Sequence, residues 1–375
     1  MALTVRAEAV VDLAAIRSSV AALVAHCDGS AVMSVVKADG YGHGAVPSAR
    51  AAIAGGATWL GVALVEEAVA LREAGVGVPV LVLVEPPPGA ADLAARYAVD
   101  LAVGSRSALQ ETVAAAGRSG SPVRVHLKVD TGLTRGGATA ADWPALVSAA
   151  GVAQAAGAVE VVAVWSHLAC ADDPGHPSID RQLQAFRRAA EIAAPLRPTL
   201  LHLANSAAAV SRPDTHFDLV RPGIACYGLA PIPRRPDHLG LIPAMSLHAR
   251  VALTKRVPAG TGVSYGHRYV TPAETTVALV PLGYADGVPR AAGSTAEVWV
   301  GGRRRRISGT VSMDQFVVDV GDDDVTAGAA VVLFGSGSGG EPTAQDWADA
   351  LGTISYEITT RIGPRVPRRY VGGTP

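Results

Sequence analysis

Short β-branched runs alternate with longer Ala- and Leu-rich stretches along the first two thirds of the chain. Short apolar runs bounded by turn residues favour strands, whereas apolar positions that recur every three to four residues favour helices. The predicted strands are Met33–Lys37, Thr58–Leu64, Val80–Glu85, Asp100–Val103, Val123–Val129, Val159–His167, Leu200–Asn205 and Asp218–Arg221. The predicted helices are Ala45–Ala54, Glu66–Ala74, Ala90–Ala98, Arg106–Arg118, Trp143–Ala156, Ile179–Ala194 and Ser206–Val210.

This alternation predicts an α/β fold. Strands that alternate with helices form a parallel sheet that the helices cover. Eight strands are also the number that closes a (β/α)8 barrel, so we expect a TIM-like barrel over residues 1–238. An open, doubly wound sheet is the alternative that the pattern leaves open.

The pattern changes after about residue 240, where Gly, Pro and Asp turns separate short strand-like runs. The predicted strands are Ser246–Lys255, Glu274–Leu282, Ala296–Gly301, Ile307–Val320 and Ala329–Phe334, and only Thr343–Ala350 and Thr353–Ile362 favour helices. We therefore expect a mainly β domain over residues 239–375, joined to the barrel through Pro231–His238. Within it, Arg303–Arg306 is interpreted as a solvated hairpin edge rather than a nucleic-acid patch.

A glycine-rich segment of this domain, Gly335–Gly340, fits the GxGxxG pattern of dinucleotide-binding proteins. Only 35 of the 375 residues follow it. That is too few for the second strand and the acidic residue that such a domain requires. The segment is therefore predicted to be a flexible linker or a turn.

The composition excludes several classes of protein. Hydrophobic residues make up 49% of the chain, charged residues 17%, and the mean hydropathy is +0.28, which excludes disorder as the main state. A net charge of −1 provides no basic field for nucleic acid or an anionic membrane. We find neither a membrane-spanning run nor the apolar core of a signal peptide. Three scattered cysteines predict neither a disulfide framework nor a zinc site, so a cytoplasmic protein without a metal is expected.

The first candidate for chemistry is Lys37, which ends a predicted strand and begins a glycine-rich loop in the segment VVKADGYGHG (residues 35–44). A residue at the carboxyl end of a barrel strand faces the active-site rim. A lysine there suits Schiff-base chemistry, because partial desolvation lowers the pKa of the amine. The structural alternative is a surface lysine that ends a strand.

The second candidate is the segment HLKVDTGLTRG (residues 126–136), in which polar and apolar residues alternate on a strand and Arg135 follows in the loop. Buried cations require partners, so Lys128 and Arg135 are each expected to find an anion. The fork of Arg135 also suits a substrate carboxylate. A purely structural ion pair is the alternative.

Three later strand ends complete the same rim, namely Trp165–His167, His202–Ser206 and Arg221–Ile224. Ser206 begins a predicted helix, and the backbone N–H groups of Gly223 and Ile224 are expected to be free. Amides of this kind bind phosphate, and barrels often hold a phosphate after their seventh and eighth strands. A lone histidine is more typical of a core residue whose hydrogen bonds are satisfied. His167, however, shares this rim with Lys37, Arg135 and Arg221, which favours a role in the site.

The β domain carries Tyr265, Tyr284, Met313 and Tyr356 beside glycines or in short polar segments. Taken alone, tyrosines next to glycines are typical of packing at the edges of turns. Together with the segments above, however, they complete a series in a fixed order: VVKADGYGHG, KVDTGLTRGG, SHLACAD, HLANSAA, VRPGIACYG, VSYGH, PLGYADG and SMDQ.

With this series the chain resembles the alanine racemase family, from the Ala7–Val20 segment to Tyr356. The resemblance implies an N-terminal barrel with a C-terminal β domain, pyridoxal 5'-phosphate as cofactor, alanine as substrate and a homodimer with shared active sites. It also implies an isomerase that interconverts L- and D-alanine and supplies D-alanine for the cell wall. Antibiotic self-resistance is a second role that the resemblance leaves open.

The resemblance also implies a role for each site residue. Lys37 would hold the cofactor covalently and act as one base, and Tyr265 of the partner subunit would act as the other. The phosphate would be held by Tyr41, Ser206, Gly223, Ile224 and Tyr356. Arg221, supported by His167, would face the pyridine nitrogen. Arg135 and the Met313 amide would bind the substrate carboxylate, Tyr284 would narrow the entry, and Lys128 is a position that is carbamylated in many relatives.

The chain departs from the family pattern at a few positions. Ser312 replaces a common Cys, Asp39 replaces a common Asn, and Leu133-Thr134 replaces a pair that commonly contains Met. These changes leave both bases in place but leave the substrate preference open. A racemase of serine or another small amino acid is one alternative. A barrel-type decarboxylase is another, although the contexts of Tyr265 and Arg221 follow the racemase pattern, and a non-catalytic carrier of the single-barrel type would lack the β domain.

Overall fold

Eight parallel strands form the barrel in a computed structural model that describes residues 5–85, 87, 89–232 and 239–373. They are β2 (Ala31–Val35), β3 (Trp59–Val62), β4 (Val80–Val82), β5 (Asp100–Val103), β6 (Val123–Lys128), β7 (Val159–Trp165), β8 (Leu200–His202) and β9 (Leu219–Val220). Their order in the sheet is β8-β7-β6-β5-β4-β3-β2-β9. A parallel bridge between Asn205 and Arg221 brings the two edge strands together.

The predicted barrel is therefore confirmed, and the doubly wound alternative is wrong. A doubly wound sheet reverses its strand order at a switch point. Here each strand from β2 to β8 pairs with the next along the chain, and β9 returns to β2. The sheet therefore curls almost completely onto itself.

Helices accompany the strands; the seven from Ala45–Ala54 onwards lie close to the predicted bounds, whereas the two that precede them were not predicted. They are α1 (Leu13–His26), α2 (Lys37–Tyr41), α3 (Ala45–Ala54), α4 (Val65–Glu73), α5 (Ala91–Arg96), α6 (Arg106–Ser119), α7 (Trp143–Ala155), α8 (Ser178–Ala193) and α9 (Ser206–Ser211). In α8 the buried residues Ile179, Leu183 and Phe186 recur at helical spacing, which is why the periodicity predicted this helix. Trp143 of α7 donates a hydrogen bond from its indole to the Ala189 carbonyl, which fixes α7 against α8.

The second domain is mainly β, as predicted. It contains β10 (Met245–Arg250), β11 (Leu253–Val257), β12 (Gly262–Val263), β13 (Tyr269–Val270), β14 (Thr275–Val280), β15 (Glu297–Val300), β16 (Arg303–Arg306), β17 (Phe316–Gly321), β18 (Ala330–Phe334) and β19 (Arg368–Val371), with α10 (Ala344–Leu351) and α11 (Ser355–Thr360). The hairpin of β15 and β16 lies at the edge of a six-stranded sheet, as expected for Arg303–Arg306.

Two predicted strands of this domain are wrong in extent. Ser246–Lys255 is two strands that belong to different sheets, since β10 ends at Arg250 and β11 begins at Leu253. In Ile307–Val320 only the last part is a strand, and Ile307 makes a single bridge to Val318. Both runs are rich in apolar residues, and an apolar run does not show where a strand bends from one sheet into another.

A strand that the sequence analysis did not predict, β1 (Ala7–Asp12), joins the two domains. It lies between β10 and β19 in the six-stranded sheet, and its last residue, Asp12, caps α1 by accepting hydrogen bonds from the amides of Ala14 and Ala15. Ala7–Asp12, which was predicted as part of the barrel region, therefore belongs to the sheet of the C-terminal domain. Residues 233–238 of the predicted linker lie outside the described residues.

Ion pairs around Asp286 strengthen this junction. The Asp286 side chain is fully buried, and its Oδ1 lies 2.6 Å from Arg6 Nη2 and 3.2 Å from Arg365 Nε. Its Oδ2 accepts a hydrogen bond from the Gly283 amide at 2.9 Å.

In the part of the chain that the structure describes, no helix is long and apolar enough to cross a membrane.

We expect Asp286→Ala to lower the free energy of unfolding by about 3 kcal/mol, because it leaves a guanidinium and a buried amide without their acceptor. Chemical denaturation measures the loss. Asp314→Ala is the matched control, since Asp314 is exposed and Arg365 is its one ion-pair partner among the described residues. It should leave the free energy of unfolding nearly unchanged. Equal losses in the two variants would contradict this view of the junction.

Candidate active site

A cavity of about 950 Å³ opens at the carboxyl end of the barrel strands. Most of the residues singled out in the barrel line it, together with one from the C-terminal domain: Lys37, Tyr41, Lys128, Arg135, His167, Ser206, Arg221, Gly223 and Tyr356. The parallel direction of the strands brings these separate segments together, because all their carboxyl ends meet at one rim.

Lys37 lies beyond the end of its strand rather than at it, since β2 ends at Val35. The backbone then turns through α2, where Ala38, Asp39, Gly40 and Tyr41 all have positive φ angles. Non-glycine residues adopt this left-handed conformation at an energetic cost. The segment is therefore a strained left-handed turn, which no propensity in the sequence predicts.

Glu67 of α4 holds this turn in place, and the sequence analysis missed it. Its Oε1 accepts a hydrogen bond from the Ala38 amide at 2.6 Å, and its Oε2 accepts from the amides of Ala63 and Leu64 at 2.8 and 3.1 Å. One carboxylate thus links the Lys37 turn to the loop after β3. Its position in the first turn of a helix that follows a strand end is the only sequence signal.

The C-terminal domain closes on the same turn from the other side. Gly42 has a φ of +83°, and a Cβ there would lie 2.3 Å from the Thr359 carbonyl oxygen, so only glycine fits. Arg368 donates a hydrogen bond from Nε to the Gly42 carbonyl at 3.1 Å. The rings of Tyr41 and Tyr356 lie 6.0 Å apart. The position of the lysine turn therefore depends on both domains.

The environment of Lys37 favours the neutral amine. Burial lowers its pKa, and the charge of Arg135 lowers it further, while Glu67 acts in the opposite direction. A half-buried amine of this kind is available as a nucleophile or a base.

Hydroxyl and amide groups meet at one end of the cavity. Ser206 Oγ accepts a hydrogen bond from the Gly223 amide at 2.7 Å, so the expectation that this amide is free is wrong, because the hydroxyl occupies it. A Cβ on Gly223 would lie 2.2 Å from Tyr41 Oη, so glycine is required for this close approach. The Ile224 side chain is fully buried and does not line the cavity. Only its backbone N–H is therefore left for the phosphate contact that the sequence predicts.

Arg221 lies at the centre of the rim and is 3% exposed. It donates from Nη1 to His202 Nδ1 at 3.0 Å and from Nη2 to His167 Nδ1 at 3.2 Å. It also donates to the carbonyls of Ser166 and Leu203. His167 therefore contacts Arg221, the residue that the resemblance implies it supports, and His202 is an additional partner that the site prediction did not include. Burial lowers the pKa of Arg221 to about 9, so its guanidinium is charged at neutral pH.

Lys128 and Arg135 form no ion pair with a carboxylate among the described residues, although the charges of Glu85 and Asp130 act to raise the pKa of Lys128. Lys128 Nζ instead lies 4.5 Å from the centre of the Trp165 ring, and a cation is attracted to the face of an aromatic ring. Burial and the charges of Arg221 and Arg135 lower the pKa of Lys128 to about 8. The Arg135 guanidinium lines the cavity with no hydrogen bond or ion pair to the described residues, which leaves it available for a ligand.

Tyr265, Tyr284 and Met313 lie apart from this cavity, on the surface of the C-terminal domain. Their side chains are 72%, 44% and 53% exposed. The loops that carry Tyr284 and Met313 pair through their backbones, since the Ala285 amide donates to the Met313 carbonyl at 2.9 Å. The structure therefore brings most predicted site residues together at the cavity but leaves these three outside it, exposed on the C-terminal domain.

No cluster of His, Cys, Asp or Glu able to hold a metal ion occurs in the described ranges. The site is instead a cavity lined by lysine, arginine and histidine, with hydroxyl groups and amides at one end. Such a set of groups suits an anionic ligand that carries a phosphate or a carboxylate.

Comparisons with known proteins agree on one family. Residues 11–231 match the family described as "Alanine racemase, N-terminal domain", and residues 244–370 match "Alanine racemase, C-terminal domain". The chain is 61% identical to an alanine racemase of Frankia casuarinae, over 98% of this chain and 96% of that protein.

Solved structures give the same result. The structure of alanine racemase from D-cycloserine-producing Streptomyces lavendulae is similar with a TM-score of 0.96 and 52% identity, over 99% of this chain and 98% of that one. That of Bartonella henselae alanine racemase with covalently bound pyridoxal phosphate is similar with a TM-score of 0.88 and 30% identity, over 98% of this chain and 100% of that one.

We expect Glu67→Ala to lower the free energy of unfolding by about 2 kcal/mol, because three backbone amides lose a charged acceptor. The amides of Ala38, Ala63 and Leu64 should also exchange hydrogen faster, which hydrogen-exchange mass spectrometry can measure. Glu66→Ala is the matched control, as Glu66 is the exposed neighbour in the same helix. Unchanged exchange at Ala38 in Glu67→Ala would show that the carboxylate does not hold the turn.

Proposed function

Because this chain belongs to the alanine racemase family, we propose that it is an isomerase that interconverts L-alanine and D-alanine through two bases, Lys37 and Tyr265, with pyridoxal 5'-phosphate as cofactor. The observation that supports this most strongly is the cavity itself. It brings the half-buried amine of Lys37 to one rim with the buried Arg221 and with hydroxyl and amide groups that can donate hydrogen bonds to a phosphate.

The residues of the cavity fit this cofactor. Lys37 would hold it covalently. Its phosphate would be held by Tyr41, Ser206, Gly223, Ile224 and Tyr356. At that end of the cavity the Gly223 backbone packs directly against Tyr41 Oη. Arg221 would face the pyridine nitrogen, since a guanidinium only donates hydrogen bonds. When bound, the cofactor withdraws electrons from the substrate's α-carbon and so makes its proton more acidic.

Two bases on opposite faces are what inversion requires, because one must remove the α-proton while the other delivers a proton to the far side. Lys37 suits the first position, since burial and Arg135 lower the pKa of its amine. Tyr265 is 72% exposed within one subunit, which is consistent with a side chain that acts in the site of a partner subunit. We therefore propose a homodimer in which residues 239–375 complete the partner's site.

The substrate carboxylate would bind to Arg135, whose fork has no partner among the described residues, and to the Met313 amide from the partner. Tyr284, whose loop pairs with that of Met313, would narrow the entry. Lys128 would carry a carbamate formed from carbon dioxide, because its lowered pKa of about 8 provides the neutral amine. The carbamate would supply Arg135 with the ion-pair partner that it lacks among the described residues.

The cellular role follows from the reaction. We propose that D-alanine made by this enzyme supplies cell-wall synthesis and that the enzyme acts in the cytoplasm.

Because both bases are present, proton exchange at the α-carbon rather than loss of the carboxylate is the expected chemistry.

We expect the purified protein with pyridoxal phosphate to produce D-alanine from L-alanine, and the reverse, in a chiral chromatographic assay. Serine should be converted more slowly, and no labelled carbon dioxide should be released from carboxyl-labelled alanine. Borohydride reduction followed by peptide mapping should find the cofactor on Lys37.

Lys128 is the internal control for this experiment, because it lines the same cavity. Reduction that traps the cofactor on Lys128, or release of carbon dioxide without inversion, would overturn the proposed function. Faster inversion of serine than of alanine would change the substrate and leave the two-base proposal standing.

The shared site predicts complementation between two inactive variants. Lys37→Ala and Tyr265→Phe homodimers should each lack one base at both sites and be nearly inactive. A mixed dimer gathers both defects into one site and leaves the other intact, so it should recover up to about half of the wild-type activity per dimer.

The experiment uses co-expressed variants with two affinity tags, and the purified mixed dimer is assayed against both parents. Lys37→Ala paired with Lys37→Ala under the same two tags is the control for the effect of the tags. A mixed dimer as inactive as its parents would rule out a tyrosine contributed by the partner.

A further inference from the structure

A series of buried polar groups extends from Arg221 into the barrel, away from the cavity. His202 Nε2 lies 2.9 Å from His126 Nδ1, and His126 Nε2 lies 3.1 Å from Asp100 Oδ2. We name Asp100, His126, His202 and Arg221 the buried series. The side chains of His126 and His202 are fully buried, and Asp100 is 2% exposed. The proposed function uses only Arg221 of these four groups.

The hydrogen positions along the series follow from Arg221 alone. A guanidinium only donates, so His202 Nδ1 must accept from it and carries no hydrogen. Burial and the charge of Arg221 lower the pKa of His202 well below its usual value, so His202 is neutral and its hydrogen is on Nε2. That hydrogen is donated to His126 Nδ1, which must therefore be bare as well. The remaining hydrogen of His126, on Nε2, is donated to Asp100.

Every hydrogen bond of the series thus points from Arg221 towards Asp100. The opposite direction is impossible, since it would leave His202 with no hydrogen on either nitrogen. The series has one cation and one anion, at opposite ends, and two neutral imidazoles between them. Polarised hydrogen bonds of this kind strengthen one another in a low-dielectric interior.

Arg221 forms no ion pair with a carboxylate of the described residues. Its side-chain hydrogen bonds go to imidazole nitrogens and backbone carbonyls only. It also lies 4.8 Å from the centre of the Trp165 ring, which stacks on His202 at an angle of 12° between the ring planes. A buried cation requires compensation, and the carboxylate that terminates its hydrogen bonds is that of Asp100.

Asp100 is itself held from the outside. Arg124 donates from Nε to Asp100 Oδ1 at 3.0 Å and pairs with the exposed Glu160 at 3.1 Å. Hydrogen bonds from His126 and Arg124 lower the pKa of Asp100 against the effect of its burial. The carboxylate therefore remains ionised inside the barrel.

We propose that Asp100 is a positioning residue for the active site, which fixes through His126 and His202 the orientation and charge of Arg221. This proposal rests on the proposed function, in which Arg221 faces the cofactor's pyridine nitrogen. Asp100 touches neither cofactor nor substrate, and it acts only by fixing which nitrogen of each imidazole carries the hydrogen.

Asp100→Asn changes one oxygen to an amide nitrogen and tests this directly. With the remaining oxygen kept on Arg124, the new amide donates to His126 Nε2 and forces its hydrogen onto Nδ1. The reversal continues to His202 and places an N–H against Arg221. The series therefore either reverses and collides with the guanidinium or breaks at the substituted position, and Arg221 shifts in both cases.

The first measurement uses the wild-type holoenzyme and needs no variant. Nitrogen-15 NMR of protein labelled at histidine should show both His126 and His202 as neutral rings with the hydrogen on Nε2. The signals are assigned from His126→Gln and His202→Gln. A hydrogen on Nδ1 of either ring, or a charged ring, would overturn the proposal even if Asp100→Asn does not fold.

The second measurement compares Asp100→Asn with Glu160→Gln, an identical carboxylate-to-amide change at the exposed end of the same ion pairs. Asp100→Asn should alter the His202 signal and lower kcat by about tenfold, the order of loss usual when a supporting partner is removed. KM for alanine should change little, because Arg135 binds the carboxylate. Glu160→Gln should leave the signals, kcat and KM as in the wild type.

The outcomes separate this proposal from the proposed function. An altered His202 signal with unchanged kcat would overturn the positioning role, as would a loss confined to KM. A wild-type protein that shows the expected imidazole signals but does not racemise alanine would overturn the proposed function while leaving the arrangement of the buried series intact.

Discussion

The constraint on which the rest of the site depends is a guanidinium buried in the barrel without an adjacent carboxylate. Arg221 is 3% exposed, and removing an unpaired charge from water is costly. In the barrel, two imidazoles and two backbone carbonyls accept hydrogen bonds from the guanidinium, and the face of Trp165 attracts its charge, which offsets part of this desolvation. Because these partners are themselves buried and directional, they hold the guanidinium in one orientation. Arg221 can then present a fixed cation to the cavity.

The second constraint lies at the lysine. Lys37 is followed by a left-handed turn that an isolated peptide would rarely adopt. Glu67 binds it from the barrel side and the C-terminal domain closes on it at Gly42. Strained backbone persists only where the surroundings determine it. The position of Lys37 therefore depends on the two domains together, and β1 holds them together because it pairs with strands of the C-terminal domain.

The two constraints assign the chemistry to different parts of the molecule. The barrel provides, in one cavity, the amine, the cations and the hydroxyl and amide groups that can donate hydrogen bonds to a phosphate. Tyr265, Tyr284 and Met313 are exposed and lie outside it, and in our proposal the second base, Tyr265, comes from another subunit. This division explains why a reaction that needs two opposed bases is supported by a dimer in our proposal rather than by one closed chain.

The sequence by itself determined the class of fold and most members of the site. Periodicity predicted the eight strands and their helices, since burial of one face is a local pattern, and parallel strands bring residues such as Lys37 and Arg221 to one rim. The sequence did not determine where Ser246–Lys255 bends between sheets, the pairing of β1, the role of Glu67 or the partners of Arg221. These depend on contacts between residues far apart along the chain, for example His202 with His126 and Gly42 with Thr359. Only the tertiary structure decides them, because a local pattern records which side of a segment is buried but not what it is buried against.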